Sequence, residues 1–264
     1  MTNDYITLAF QEDVATLTLN QPERSNGFNV PMCQAFLAAL ETVKETANCR
    51  FLVIRAKGKL FSIGGDLATM QEAIDQDDIS SLVTIAELVQ EMSFAIKHLP
   101  LPVIVCTHGA VAGAAFNLAL AADFCLAAEG SRFIQAFVNV GLAPDAGGLF
   151  LLARAVGLNK ALQLAMTGDA VTAEQAKELG FVYQTFPPAD MDRALDRLLK
   201  KLRRGSSHSY RAIKQLIWQS LFTHWEAYAK EELQQQTSLA FQPDFREGVQ
   251  AFTERRRPHF TSLL

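Results

Sequence analysis

The chain has 264 residues, 49% of them hydrophobic and 20% charged, so it can bury a sizeable core and has none of the composition of a disordered segment. A formal net charge of −4, with the one dense basic cluster at Arg255-Arg256-Arg257, argues against a general nucleic-acid binder. Cys33, Cys49, Cys106 and Cys125 are widely spaced with no CxxC, which fits free thiols in a reducing cytoplasm, and no apolar run reaches the roughly 18–20 residues of a membrane span.

Tyr5–Phe10 and Val14–Leu19 read as a β-hairpin across Gln11-Glu12-Asp13, and Asn20–Asn29 as a loop. Pro31–Glu45 has helical spacing with a proline suited to its first turn. The β-branched run Phe51–Ala56 reads as a buried strand that ends in Phe61-Ser62-Ile63-Gly64-Gly65-Asp66-Leu67, with a short helix from Leu67. Leu82–His98 is an amphipathic helix closed by Pro100 and Pro102, and Val103–Thr107 is a strand. A small-residue loop, His108–Ala115, opens a helix over Gly113–Ala121. Short strands follow at Phe124–Ala128 and Phe133–Gln135. A loop at Gly141–Gly148 feeds a helix through Ala155, with further helices at Ala161–Thr167 and Ala173–Leu179 and a strand at Phe181–Thr185.

Strands alternate with helices to that point, which implies βαβ units. From Asp190 onward the pattern is helical only, near Met191–Arg203, Ser207–Gln219, Thr223–Gln236 and Phe245–Arg256. The expected organisation is an α/β core over residues 1–189 and an α-helical C-terminal subdomain over 190–264.

Two β runs that each end in a glycine-rich turn before a helix have a chemical use. Glycine lets the backbone turn with its N–H groups outward, and two such groups on one oxygen make an oxyanion hole. Other chemistries lack their signatures. GxGxxG after a strand, GxxxxGK[ST] and GxSxG are all missing, and the five histidines show no metal-ligand spacing.

In these motifs the chain resembles the crotonase superfamily, the enoyl-CoA hydratase/isomerase family, from end to end. Leu19–Asn29 is similar to its first coenzyme-A loop, Phe61–Leu67 to its F-S-x-G-x-D-L signature and Gly109–Leu118 to its second oxyanion loop. Pro144–Gly148 is similar to its site loop and Phe252–Phe260 to its C-terminal tail. The resemblance implies a spiral of ββα units with a helical trimerisation region, and a trimer or dimer of trimers. The implied substrate is a thioester on coenzyme A or acyl carrier protein, with coenzyme A as part of the substrate and no separate cofactor or metal. By position, the oxyanion donors are the N–H groups of Gly65 and Ala114, the second of them usually a glycine in the family. Arg24 and Lys57 are placed to meet phosphates, the backbone near Gly27 to meet adenine, and Phe252 and Arg255 to reach the nucleotide, from the same or a neighbouring subunit. Ile63, Gly64, Asp66, Leu67, Gly113, Asn117 and Phe137 complete the expected substrate contacts. Asp66 has a second reading as a loop anchor or helix cap, Asn117 one as packing, Ser62 reads as a loop hydrogen-bonder, and Arg255–Arg257 has a second reading as a solvated helix end.

The departures are as informative as the matches. The family's hydratases carry two glutamates that activate water. Here the first position, three residues past Ala114, is Asn117, and the second, eight residues before Asp145, is Phe137. Asparagine takes no proton and phenylalanine binds no water, so two-carboxylate hydration, and the two-acid dienoyl isomerases with it, fit poorly. Asp145, flanked by Leu142, Ala143, Pro144, Ala146 and Leu149, is the remaining acid. Several isomerases of the family place a single carboxylate on this loop, and burial there would raise its pKa into the range of a general base. The resulting expectation is a Δ3-Δ2-enoyl thioester isomerase. The rival readings for the chain are a weak hydratase, a relative using Asp145 as a nucleophile for dehalogenation or thioester hydrolysis, and a non-catalytic acyl-CoA binder. For Asp145 itself the rival is a helix N-cap.

Overall fold

The structure is a computed structural model that describes residues 4–262; the first three residues of the expected core and the last two of the helical region lie outside them. The chain runs β1 (Ile6–Gln11), β2 (Val14–Leu19), α1 (Val30–Glu45), β3 (Phe51–Ala56), α2 (Leu67–Asp75), α3 (Ser80–His98), β4 (Val103–Thr107), β5 (Ala110–Ala112), α4 (Ala114–Ala121), β6 (Phe124–Ala128) and β7 (Arg132–Ile134). It continues with α5 (Gly148–Val156), α6 (Leu158–Thr167), β8 (Val171–Thr172), α7 (Ala173–Glu178), β9 (Gln184–Phe186), α8 (Met191–Leu202), α9 (Ser207–Leu221), α10 (Trp225–Ala240) and α11 (Pro243–Thr253).

Six strands form one sheet in the order β1-β2-β3-β4-β6-β9, antiparallel only between β1 and β2. Its middle strands are buried on both faces, so their side chains alternate between two cores. Leu52, Ile54, Val103, Val105, Cys125 and Ala127 face the larger core with α1, α3 and α4. Phe51, Val53, Ile104, Cys106, Leu126 and Ala128 face the opposite way, onto Met191, Leu195, Leu198, Leu199 and Leu202 of α8. α8 therefore closes one face of the sheet, while α10 and α11 pack with the other clusters. All four cysteines are free thiols. Among the described residues no helix is long and apolar enough to cross a membrane.

Four local features depart from the expectation. The loop at His108–Ala115 contains β5, which pairs with β7, and β7 pairs with β8, in a separate three-stranded sheet. Alanine-rich and two-residue strands carry no visible alternation, so their pairing is a tertiary event. The last strand starts later than Phe181 because the N–H groups of Phe181 and Val182 both return to the Ala176 carbonyl and close α7. The helix at Thr223–Gln236 runs one turn further, to Ala240. The final helix stops at Thr253, where Arg255 turns left-handed (φ 55°) and the Arg256 N–H closes back on the Ala251 carbonyl.

Phe116 ties the small sheet to the core. It is fully buried on α4, with ring centroids 5.4 Å from Phe133 of β7 and 5.2 Å from Phe181. Phe116→Ala is expected to cost about 3–5 kcal/mol of unfolding free energy in a denaturant titration; a loss under about 1 kcal/mol would show that this contact does not anchor the sheet.

Candidate functional site

The first glycine turn is held by its neighbours on every side. Asn26, buried and left-handed, donates its amide to the carbonyls of Lys57 (2.9 Å) and Phe61 (3.0 Å) and accepts from the Gln21 N–H. Ser62 Oγ donates to the Asn26 carbonyl at 2.8 Å and accepts from the Gly64 N–H at 3.0 Å, so it is a loop brace. The Gly64 carbonyl and the Asp66 N–H pair with Phe28. The intervening Gly65 N–H has no acceptor among the described hydrogen bonds.

The second turn is built by the small sheet. Ala112 pairs with Ser62, and the Gly113 N–H donates to the Ile134 carbonyl. Gly113 turns at φ 53° and opens α4, whose first N–H, on Ala114, has no intrahelical partner. The conformation that only glycine adopts easily falls on Gly113, so alanine at 114 is unstrained and keeps its N–H. The two turns touch. A Cβ on Gly64 (φ 84°) would lie 2.7 Å from the Ala112 carbonyl oxygen and 3.1 Å from the Ala114 nitrogen. Two unpaired N–H groups thus open into one cavity of about 280 Å³, whose wall includes Gly65 and Ala114.

Asp145 lies on the same wall. It is not a helix cap: the residue before α5 is Gly147, left-handed and without a side-chain cap. Its loop is held by its backbone, because the Asp145 carbonyl accepts from Asn117 Nδ2 and from the Gly148 N–H, each at 2.8 Å, and Asn117 is steadied by Gln135 Nε2 at 2.7 Å. The carboxyl itself is poorly solvated. Oδ2 accepts one bond, from Gln236 Nε2 at 3.3 Å, and Oδ1 is buried without a partner. Burial, and then the negative charge of Glu232, push this carboxyl up to about 8, against the Gln236 bond.

The other expected residues divide by place. Ile63, Asp66, Leu67, Gly113, Phe137 and Phe252 line the cavity, with the Phe137 ring against the second turn. Asp66 is committed elsewhere. It caps α2 through the Thr69 N–H and forms a two-point ion pair with Arg24 at 2.6 and 2.9 Å. Arg24 therefore spends two of its donors inside the protein. Gly27 is buried against Asp66, where a Cβ would come within 2.9 Å of its Cα, and offers no open backbone. Asn117 is fully buried behind the wall as a brace of the Asp145 loop. Lys57 is exposed on the loop after β3, and Arg255 is exposed at the end of α11, off the cavity wall. The remaining wall is mostly apolar, with Met70, Leu82, Val83, Ile85, Ala86, Val89, Val140, Leu142, Ala240 and Phe245 among its residues and Asn139 and Thr237 as polar exceptions. Gln236 and the buried Glu232, which belong to no motif, complete the site, while Asn26 lies within the Leu19–Asn29 loop. Among the described residues no cluster of three or more His, Cys, Asp or Glu is arranged to hold a metal ion.

Residues 9–263 match the sequence profile of the family described as enoyl-CoA hydratase/isomerase. The chain is 58% identical over 248 residues to the trans-2-decenoyl-[acyl-carrier-protein] isomerase of Streptococcus mutans, covering 94% of each chain. It is 36% identical over 260 residues to a probable enoyl-CoA hydratase of Rhodobacter capsulatus, covering 97% of this chain and 98% of the relative. The crystal structure of an enoyl-CoA hydratase from Mycobacterium avium subsp. paratuberculosis superposes with a TM-score of 0.88 at 28% identity, covering 98% of this chain and 99% of that one.

A buried acid of this kind costs stability as pH rises. In the unfolded chain Asp145 ionises near pH 3.9, and in the folded protein only near 8, so stability falls across that window and is lowest above it. Asp145→Asn is expected to melt at a higher temperature than the unsubstituted protein at pH 9, with the gain shrinking toward pH 4. A gain that did not vary with pH would refute the raised proton affinity.

Proposed function

The chain belongs to the enoyl-CoA hydratase/isomerase family, and from that premise we propose that it is an enoyl-thioester isomerase that moves a double bond between C3 and C2 with Asp145 as its one base. The observation that carries this reading is the company Asp145 keeps. Of the two acids on the cavity wall, Asp66 is locked to Arg24 and to α2, while Asp145 is thinly solvated and has its proton affinity raised.

The chemistry follows from that arrangement. A thioester carbonyl oxygen seated at the N–H groups of Gly65 and Ala114 makes the adjacent C–H acidic, because the negative charge of the dienolate gathers on that oxygen. The start of α4 adds the favourable end of its helix dipole there. From a 3-enoyl thioester the Asp145 carboxylate takes a proton from C2, the π electrons shift, and the carboxylic acid returns the proton at C4. The reverse passage takes from C4 and returns to C2. One carboxyl that is restored at the end serves both directions, and the reaction asks for no separate cofactor. Hydration would need a second group to activate water, and the two positions that supply it in the family's hydratases are here Asn117, turned to the loop backbone, and Phe137, a ring. The apolar wall suits an acyl chain and excludes water from the dienolate.

For the carrier, the likeness to a relative named for acyl-carrier-protein substrates favours a carrier-protein thioester over coenzyme A. For assembly, the exposed Ile213, Leu216, Ile217 and Leu221 of α9, a helix with no buried residue, support self-association as a trimer or dimer of trimers. The four unpaired thiols fit a cytoplasmic setting.

The deciding assay gives the purified protein a 3-enoyl and, separately, a 2-enoyl thioester and follows the conjugated product by ultraviolet absorbance. The isomerase is expected to generate conjugation from the 3-enoyl substrate, with kcat/KM rising with pH as Asp145 loses its proton near 8, and Asp145→Asn is expected to lose about 10²–10⁴-fold in rate. Rapid loss of conjugation from the 2-enoyl substrate, retained in Asp145→Asn, would mean hydration by other groups and would sink this reading.

A further inference from the structure

A second buried carboxylate lies behind the cavity wall. Glu232 sits on α10, one turn before Gln236, 7% exposed and off the wall. Its Oε1 accepts from the Gly147 N–H at 2.8 Å and from Gln90 Nε2 at 3.1 Å, and its Oε2 accepts from the Tyr228 hydroxyl at 2.7 Å. Gln90 is itself fixed by a second bond, to the Ala229 carbonyl at 2.8 Å. One stretch of α10 therefore grips both halves of the site loop: Gln236 holds the Asp145 carboxyl, and Glu232 holds the backbone two residues on.

Two carboxyl groups in one apolar region do not ionise independently. Their donors decide which keeps the charge. Burial pushes Glu232 up, but three donors pull it back, whereas Asp145 has one side-chain donor and a bare Oδ1. Among the described residues no cation pairs with either acid. From α1 comes the Cys33 thiol, kept neutral because burial pushes it up to about 12. From α10 comes Tyr228, a neutral hydroxyl, and from α3 only the Gln90 amide. The Arg154 guanidinium of α5 lies on the Phe150 ring at 3.4 Å and bonds the Leu221 and Phe150 carbonyls.

We propose that Glu232 is the positioning residue of the base: held ionised by Gly147, Gln90 and Tyr228, it sets a fixed negative charge behind Asp145 and so tunes the affinity with which Asp145 takes and returns the substrate proton. This rests on Asp145 being the base. A carboxylate that is too acidic would take a carbon-bound proton poorly, and one that is too basic would be protonated at working pH; Glu232 fixes the balance between these.

The test uses two measurements on the full chain. Glu232→Gln keeps the shape and an acceptor for the Gly147 N–H while removing the charge. Its kcat/KM profile is expected to have its acid limb displaced to lower pH by about one unit or more, with the plateau kcat down several-fold and KM little changed. A purely structural role would lower melting temperature and rate but leave the limb in place, and an unmoved limb overturns the proposal. The second measurement does not depend on that variant folding. Carboxyl ¹³C NMR of the unsubstituted protein is expected to show a step near pH 8 that is absent in Asp145→Asn. A step near pH 8 that survives in Asp145→Asn would place the proton on Glu232 and overturn the proposal. Full isomerase activity in Asp145→Asn would instead overturn the base assignment beneath it, a result read from rate and separable from the titration.

Discussion

The site depends on one close approach of backbone to backbone. The α-carbon of Gly64 stands against the Ala112 carbonyl and the Ala114 amide with no room for a methyl group between them. Only with that contact do the N–H groups of Gly65 and Ala114, some fifty residues apart in sequence, open into one cavity. Each side of the contact has its own brace. Asn26 and Ser62 hold the first turn, and the β5–β7 pairing with Phe116 behind it holds the second. These two donors face a cavity instead of a protein acceptor, and the braces around them hold the backbone in that arrangement. In the proposed reaction that rigidity would let them meet a developing oxyanion without reorganising.

Around this contact three carboxylates are sorted by environment. Asp66 is neutralised by Arg24 and spent as a helix cap. Glu232 is enclosed by neutral donors. Asp145 is left with one bond from Gln236. Residue type does not distinguish them; the number and kind of donors facing each does. Two acids whose surroundings push their proton affinities apart are a recurrent way of giving one carboxyl a proton-transfer role near neutral pH.

α2, α3, α10 and α11 close the cavity with aliphatic and aromatic side chains, and the third apolar cluster, around Ile79, Ala240, Phe245 and Val249, packs them together. A dry wall strengthens the attraction between the oxyanion and its donors. In the proposed reaction it would also keep water from competing for the dienolate, a competition that a ring at position 137 does nothing to assist.

Much of this was readable along the chain. Continuous apolar, β-branched runs in β3 and β4 and helical spacing in α1 and α3 placed the sheet and its first layer, since those patterns arise from local geometry and burial. The two glycine turns and Asp145 could also be found, because each sits at a strand exit or helix entry where residue type is constrained locally. Elsewhere the local signal is absent or shared. Gly27 is a glycine because Asp66 leaves no space, and Arg24 faces Asp66, forty-two residues away. Asn117 braces the Asp145 backbone from twenty-eight residues away. β5 and β8 are too short and too plain to announce themselves. Gln236 and Glu232 reach the site loop across ninety-one and eighty-five residues. By itself the sequence determined which chemistry the loops could carry, because turns and acids are local choices. Only the tertiary structure decided which acid is left bare and which groups tune it, because the field at Asp145 is set by side chains that meet only when α10 docks against α3 and the site loop.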